Sequence, residues 1–406
     1  MGTIIRLQRK FNLPLLTFYG VGNILGAGIY VLVGKVAAVS GESILLSFLI
    51  ASSIAALSAF SYMELTARFP ASAGAAVYVH HAYKKRPLTL FVGFCMVLSA
   101  IVSSAALARG FAGYFEQIIP APMVIISVLV IFAMGAVAAW GIDATAKLAA
   151  IFTVIEISGL LAIVWFGRNL IQAGGNQATL FSISGVGISG VLMGAFLAFY
   201  AFIGFEDMVN VSEEVKNPKK TMPRAILLSL IISTTLYILV VVVATRAVPI
   251  GQLASSNSPL ALVFGAVSNI NPFFLVFVGL AATINGILVQ ITMASRMLYG
   301  MANKGWINDN LAKINVKTKT PALAVTLVTS VMIVSTALFD LVSLAKLTSF
   351  LVLTVFILVN SSLLIVKKTH PKQRPHSHVP IWVPALGVTT SLALVIWQIY
   401  SSFFKL

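Results

Sequence analysis

YGVGNILGAGIY, residues 19–30, sits inside an apolar run that begins near Phe11. Gly20, Gly22, Gly26 and Gly28, with polar Asn23 among them, interrupt a segment otherwise suited to a membrane helix. A second interruption, AFYAFIGFEDMV at residues 198–209, sets Gly204 beside Glu206 and Asp207. At 1.5 Å rise per residue both lie roughly 15–25 Å from the starts of their segments, near the middle of a bilayer. Non-helical backbone at that depth is tolerated only where it lines a cavity or is packed in protein. Each bland reading stays open on its own. Gly22 and Gly26 have the spacing of close helix packing, and Glu206–Asp207 can mark the inner end of a short helix.

Working outward, 406 residues with 59% hydrophobic and 9% charged side chains give a mean hydropathy of +0.99. A soluble domain carries about 45–50% apolar and about 25% charged residues, so a water-soluble enzyme is excluded. Spans of roughly 20 residues fall at about 12–35, 41–65, 88–115, 121–141, 145–167, 188–208, 224–246, 272–298, 321–339, 344–366 and 380–401. That is about eleven transmembrane helices in a single membrane domain covering 1–406. The breaks then occupy the first of spans one to five and the first of spans six to ten. Interruptions at corresponding positions of two halves point to a transporter site built on an inverted repeat. Repeat one covers about 12–167, repeat two about 188–366, and an extra helix about 380–401.

The net charge of +16 would point to nucleic acid in a soluble protein. Here it reflects basic inner loops, and no nucleic-acid partner is expected. With a cytoplasmic N-terminus, every Lys and Arg except Lys35, Arg109, Arg168, Arg246, Lys346 and Lys405 falls on the inner side. His80, His81, His370, His376 and His378 also fall in inner loops, so no metal site within the membrane and no cofactor is expected. Cys95 alone excludes an intramolecular disulfide. No His/Cys/Ser constellation in the spans offers catalysis, so the chain reads as no enzyme.

Four motifs then carry a resemblance: GNILGAGIY (22–30), SYMELTARFPASAGAAVYV (61–79), FIGFEDMVNVSEEVKNPKKTMPRAI (202–226) and SRMLYGMANKGWINDNLAKINVKTKTPALAV (295–325). Their order resembles the amino acid–polyamine–organocation superfamily, specifically bacterial amino acid permeases related to the cationic amino acid transporters. The resemblance implies an all-α integral membrane protein with a LeuT-type 5+5 inverted repeat, helices 1 and 6 discontinuous. It also implies secondary active transport by alternating access in a bacterial or archaeal inner membrane, with lipid as its surroundings.

An amino acid always brings a carboxylate and an ammonium. Amides freed by a glycine-rich turn, helped by a half-helix dipole, suit the carboxylate, and Gly26, Ala27 and Gly28 are placed to supply them. The resemblance points to the carbonyls of Ile24, Phe202, Ile203 and Phe205 for the ammonium, and to Tyr200 as an aromatic cover. Ser99, Ser103, Tyr200 and Asn285 are neutral pocket candidates on spans three, six and eight. They favour a neutral, small or moderately apolar substrate. A cationic substrate reached by Glu206 or Asp207 is the alternative, as are an exchanger and a non-transporting sensor.

Glu213 and Glu214, among Lys216, Lys219, Lys220 and Arg224, are candidates for a gate salt bridge or for a solvated loop. Glu64, at the inner end of span two, is a third gate candidate, with snorkelling to the interface as the alternative. Thr320-Pro321 reads as an N-cap followed by a first-turn proline. Glu156 stands among apolar neighbours at about 18 Å depth, where an ionised acid costs at least ~2.5–3.5 kcal/mol. It should be paired or protonated. Several superfamily members carry a lysine at the matching position, standing in for a sodium ion, so the charge type is reversed here. The reading is proton coupling at Glu156, with a bundle-internal hydrogen bond as the alternative.

Overall fold

The structure, a computed structural model, describes residues 11–26, 28–70, 74–140, 142–172, 186–315, 318, 320–371, 375 and 377–404. Backbone polar groups have no water partners in a bilayer, so a spanning chain satisfies them internally as helix. The described residues hold helices and no named strand. Span one is two helices, α1 (Leu13–Leu25) and α2 (Gly28–Ser40), followed by α3 (Ile44–Arg68). Next come α4 (Gly74–Tyr83), α5 (Arg86–Phe115), α6 (Met123–Trp140), α7 (Ile142–Phe166) and short α8 (Arg168–Gln172). Span six is α9 (Gly187–Phe199), continued by 3-10 segments Tyr200–Phe202 and Phe205–Glu214. After it run α10 (Pro218–Ala247), α11 (Ile250–Ser255), α12 (Pro259–Val267) and α13 (Phe273–Asn303). The chain closes with α14 (Ala322–Leu338), α15 (Leu341–Thr369) and α16 (Trp382–Phe404).

Nine helical stretches among the described residues are long and apolar enough to cross a membrane. The first, Leu13–Arg68, contains two spans, and the 17-residue Ala322–Leu338 is a shorter addition. Together they account for the eleven spans expected. The fold is an all-α membrane fold with both expected breaks. Among the described residues four short helices escape the span pattern: α4, α8, α11 and α12.

Apolar side chains do not alone separate inside from outside here, because the solvent is lipid. Leu129, Phe132, Ile151, Trp165, Ile396 and Phe403 are exposed on the outer surface, an apolar extent that marks a membrane face rather than a wetted one. The interior instead carries the acids: Glu64, Glu156, Glu206 and Asp207 are all buried. Around them α5 packs along α13 and α15, while α10 packs on α1 and α3. The two broken spans also meet at their basic ends. Phe11 N donates to Glu214 O at 3.1 Å, and Lys216 N donates to Phe11 O at 2.9 Å.

One capping expectation is corrected. Pro321, not Thr320, precedes α14, and no side chain caps that helix. The Thr320 hydroxyl instead donates to Ala139 O at 3.0 Å, tying the start of α14 to the end of α6.

Candidate functional site

The two breaks touch each other. Gly204 stands at φ +133°, a conformation side chains rarely adopt, and a Cβ there would meet Asn23 O at 2.5 Å. A Cβ on Gly28 would lie 2.8 Å from Ala201 Cα. Close approach of the two backbones therefore requires both glycines. Tyr237 of α10 joins the same two strips: its hydroxyl lies 2.6 Å from Ile24 O and 3.0 Å from Ala201 O. One hydroxyl proton shared by two carbonyls holds both breaks at once. Nothing in the sequence around Tyr237 singled it out, since an aromatic in an apolar span is ordinary.

A cavity opens beside this contact. Its walls include Gly22, Asn23, Ile24, Gly26 and Gly28 from the first break and Tyr200, Ile203 and Asp207 from the second. Ser103 and Leu107 of α5 and Asn285, Gly286, Val289 and Gln290 of α13 complete it. Of the residues singled out in the sequence, the fold thus brings together Ile24, Gly26, Gly28, Tyr200, Ile203, Ser103 and Asn285. Ala27 lies outside the described residues. The Tyr200 hydroxyl is within 2.9 Å of Ser103 Oγ and 3.0 Å of Ser103 O, so its ring is pinned across the cavity to α5.

Other assignments change. Phe202 and Phe205 are fully buried and do not line the cavity. The Phe202 ring packs on Phe48 and Tyr237, and the Phe205 ring on Tyr62 and Phe356, because the second break turns them into the protein core. The Ile24 carbonyl is already engaged by Tyr237. Ser99 donates to Met96 O at 2.8 Å and lines a smaller neighbouring cavity with Ser103, Glu206, Asp207 and Gln290. Glu206 accepts from the Gly204 amide at 2.9 Å, using an acid to hold the break in shape. Asp207 faces both cavities. No hydrogen bond or ion pair joins its carboxylate to another described residue.

Glu156 of α7 lies just behind this wall, fully buried. Its Oε1 accepts from Asn285 Nδ2 at 2.8 Å, and its Oε2 has no partner among the described residues. Its own carbonyl accepts from the Tyr30 hydroxyl of α2 at 2.6 Å. Asn285 therefore touches the cavity on one side and the buried acid on the other. Its Oδ1 has no partner among the described residues.

The sequence pattern of the amino acid permease family matches residues 11–404, nearly the entire chain. The chain belongs to the amino acid permease family. The permease is 26% identical to the methylthioribose transporter of Bacillus subtilis over 97% of its own length and 88% of the relative's. It is 26% identical to the branched-chain amino acid permease of the same organism, over 96% and 88% of the two chains. It is also 29% identical to the vacuolar cationic amino acid transporter 2 of Arabidopsis thaliana, over 91% of its length and 61% of that protein's. It is an integral membrane protein of a transporter family.

The gate candidates in the permease differ sharply. Glu64 is fully buried and accepts from Arg68 and Lys367, each at 2.6 Å, and from Val379 N at 2.8 Å. That network ties α3 to α15 and to the segment leading into α16. Glu214 forms no ion pair with another described residue and contributes only its carbonyl, to Phe11 N. The side chain of Glu213 lies outside the described residues. The described residues contain no cluster of His, Cys, Asp and Glu that could hold a metal ion.

Proposed function

We propose that this permease is a secondary active transporter that carries a neutral, small or moderately apolar amino acid inward together with a proton. The observation behind this reading is Asn285, shared between the cavity wall and the Glu156 carboxyl. An ionised Glu156 accepts from the Asn285 amide, leaving Oδ1 free. A protonated Glu156 is a donor, and the amide turns to offer it Oδ1 instead. The group that Asn285 presents to the cavity thus changes with the proton on Glu156. The Gly26 amide is engaged by Gly22 O at 3.1 Å, so amides at the start of α2, from Gly28 onward, take the substrate carboxylate at the helix break, as half-helix termini do in secondary transporters. Repeat one (about 12–167) and repeat two (about 188–366) would rock about this site, with 380–401 added to the second and the N-terminus cytoplasmic.

One proton moved per cycle with a neutral substrate gains about 2.3 kcal/mol per 100 mV of membrane potential. Uptake into proteoliposomes should rise under an inside-alkaline pH gradient and ignore replacement of sodium. Sodium-dependent uptake insensitive to pH would overturn the coupling, and strict dependence on internal amino acid would make the protein an exchanger.

A cationic substrate is the second reading, supported by one observation: the Asp207 carboxylate faces the cavity with no partner among the described residues. Bound ligand raises apparent stability by mass action. Stabilisation by lysine or arginine but not by small neutral amino acids would favour it.

A further inference from the structure

We propose that a groove at the start of α10 binds the phosphate of an anionic membrane phospholipid. Lys219, Lys220 and Arg224 line it from α10, and Met63 of α3 and Ser377 face them. All three cations are exposed, and none is ion-paired with a described residue. No acid is among the described residues that line the groove. The Ser377 hydroxyl is shielded from solvent yet has no hydrogen-bond partner among the described residues, so a donor that a phosphate oxygen can use sits across from the cations. Four donors with no partner among the described residues make one groove a suitable site for an anion.

The apolar half of the ligand follows from the helix period. Lys220, Arg224, Leu228 and Ile232 recur every four residues and so run up one side of α10. The first two are cationic; Leu228 and Ile232, with neighbouring Ile231, are exposed apolar side chains. Leu227 and Met63 give the groove itself an apolar floor. Charge at the helix start followed by an exposed apolar stripe matches a headgroup phosphate followed by an acyl chain, at the level where α10 enters the bilayer. A free phosphate would use the cations and leave the stripe idle. Basic pockets between spanning helices recognise lipid headgroups in this way.

The test is retention of phosphatidylglycerol by the purified full-length protein, read by native mass spectrometry and by thermal stabilisation. Phosphatidylcholine and inorganic phosphate are the parallel probes. Phosphatidylglycerol should bind and stabilise; the other two should not. The triple variant Lys219→Gln, Lys220→Gln, Arg224→Gln should weaken retention on the order of 100-fold, each basic residue at a membrane surface contributing about fivefold. Lys84→Gln, Lys85→Gln, Lys313→Gln removes the same charge elsewhere and should leave retention within about threefold. Leu227→Glu keeps every cation but puts a carboxylate in the floor, and should also lower retention. Equal losses in the two triple variants, unchanged retention in Leu227→Glu, or equal stabilisation by inorganic phosphate would overturn the proposal.

Discussion

Glu64 and Glu156 are both fully buried carboxyls in spanning helices, and their surroundings are opposite. Glu64 faces two cations and a backbone amide. Glu156 has one neutral amide donor and an oxygen with no partner among the described residues. An acid paired with two cations keeps its charge and serves as a fastening. An acid met by a single amide that can present either end is free to exchange a proton. The contrast teaches that burial alone does not mark a functional acid; the balance of donors around it does.

The same substitution at the two positions probes this contrast. Glu64→Gln leaves Arg68 and Lys367 short of their counter-charge, and breaking a buried pair costs about 3–5 kcal/mol. Thermal unfolding in detergent should show that loss, and Lys367→Met added to it should recover part. A loss below about 1 kcal/mol would mean that the network fastens nothing. Tyr237→Phe comes next. It removes the hydroxyl that both breaks share, and at roughly 0.5–1.5 kcal/mol per hydrogen bond it should cost about 2 kcal/mol. It should also weaken substrate binding, because the strips forming the cavity wall lose their common tie.

A surface carboxyl calibrates the lower end of the scale. Asp340 caps α15, accepting from Val342 N and Ser343 N. Partial burial pushes its carboxyl up, but hydrogen bonds from Ser343 and Val342 outweigh this and hold it below the ordinary value of 3.8. Its contribution is therefore present above the unfolded-chain value and lost as pH falls through the lower folded one. Asp340→Ala should cost about 1 kcal/mol, with the difference from the parent vanishing in strong acid. Glu156→Gln should cost least of all, under about 1 kcal/mol, because the amide still offers Asn285 an acceptor.

Much of this architecture was legible in the sequence because lipid imposes strong rules. Apolar runs of spanning length, glycine-interrupted at corresponding places, were enough to find eleven spans and both breaks. The cavity was legible in part: Gly26, Gly28, Tyr200, Ser103 and Asn285 line it or hold its cover. What stayed hidden were pairings across distance. Lys367 meets Glu64 from 303 residues away, and Asn285 meets Glu156 from 129, separations no local pattern encodes. The resemblance pointed to the carbonyls of Phe202 and Phe205, but nothing in the sequence showed that the 3-10 segments on either side of Gly204, which stands at positive φ, send their rings into the core. Short α4, with His80 and His81 in its last turn, lacks the length that makes a span visible.

The proposed coupling of Glu156 to transport can be measured without a membrane potential. Calorimetric titration of the purified permease with its amino acid, in buffers of different ionisation enthalpy, counts the protons taken up per substrate bound. The parent should take up a proton on binding, and its affinity should follow pH accordingly. Glu156→Gln should bind with similar affinity, take up none and lose the pH dependence. An unchanged proton count and pH profile in Glu156→Gln would contradict the account and leave Glu156 a structural acid.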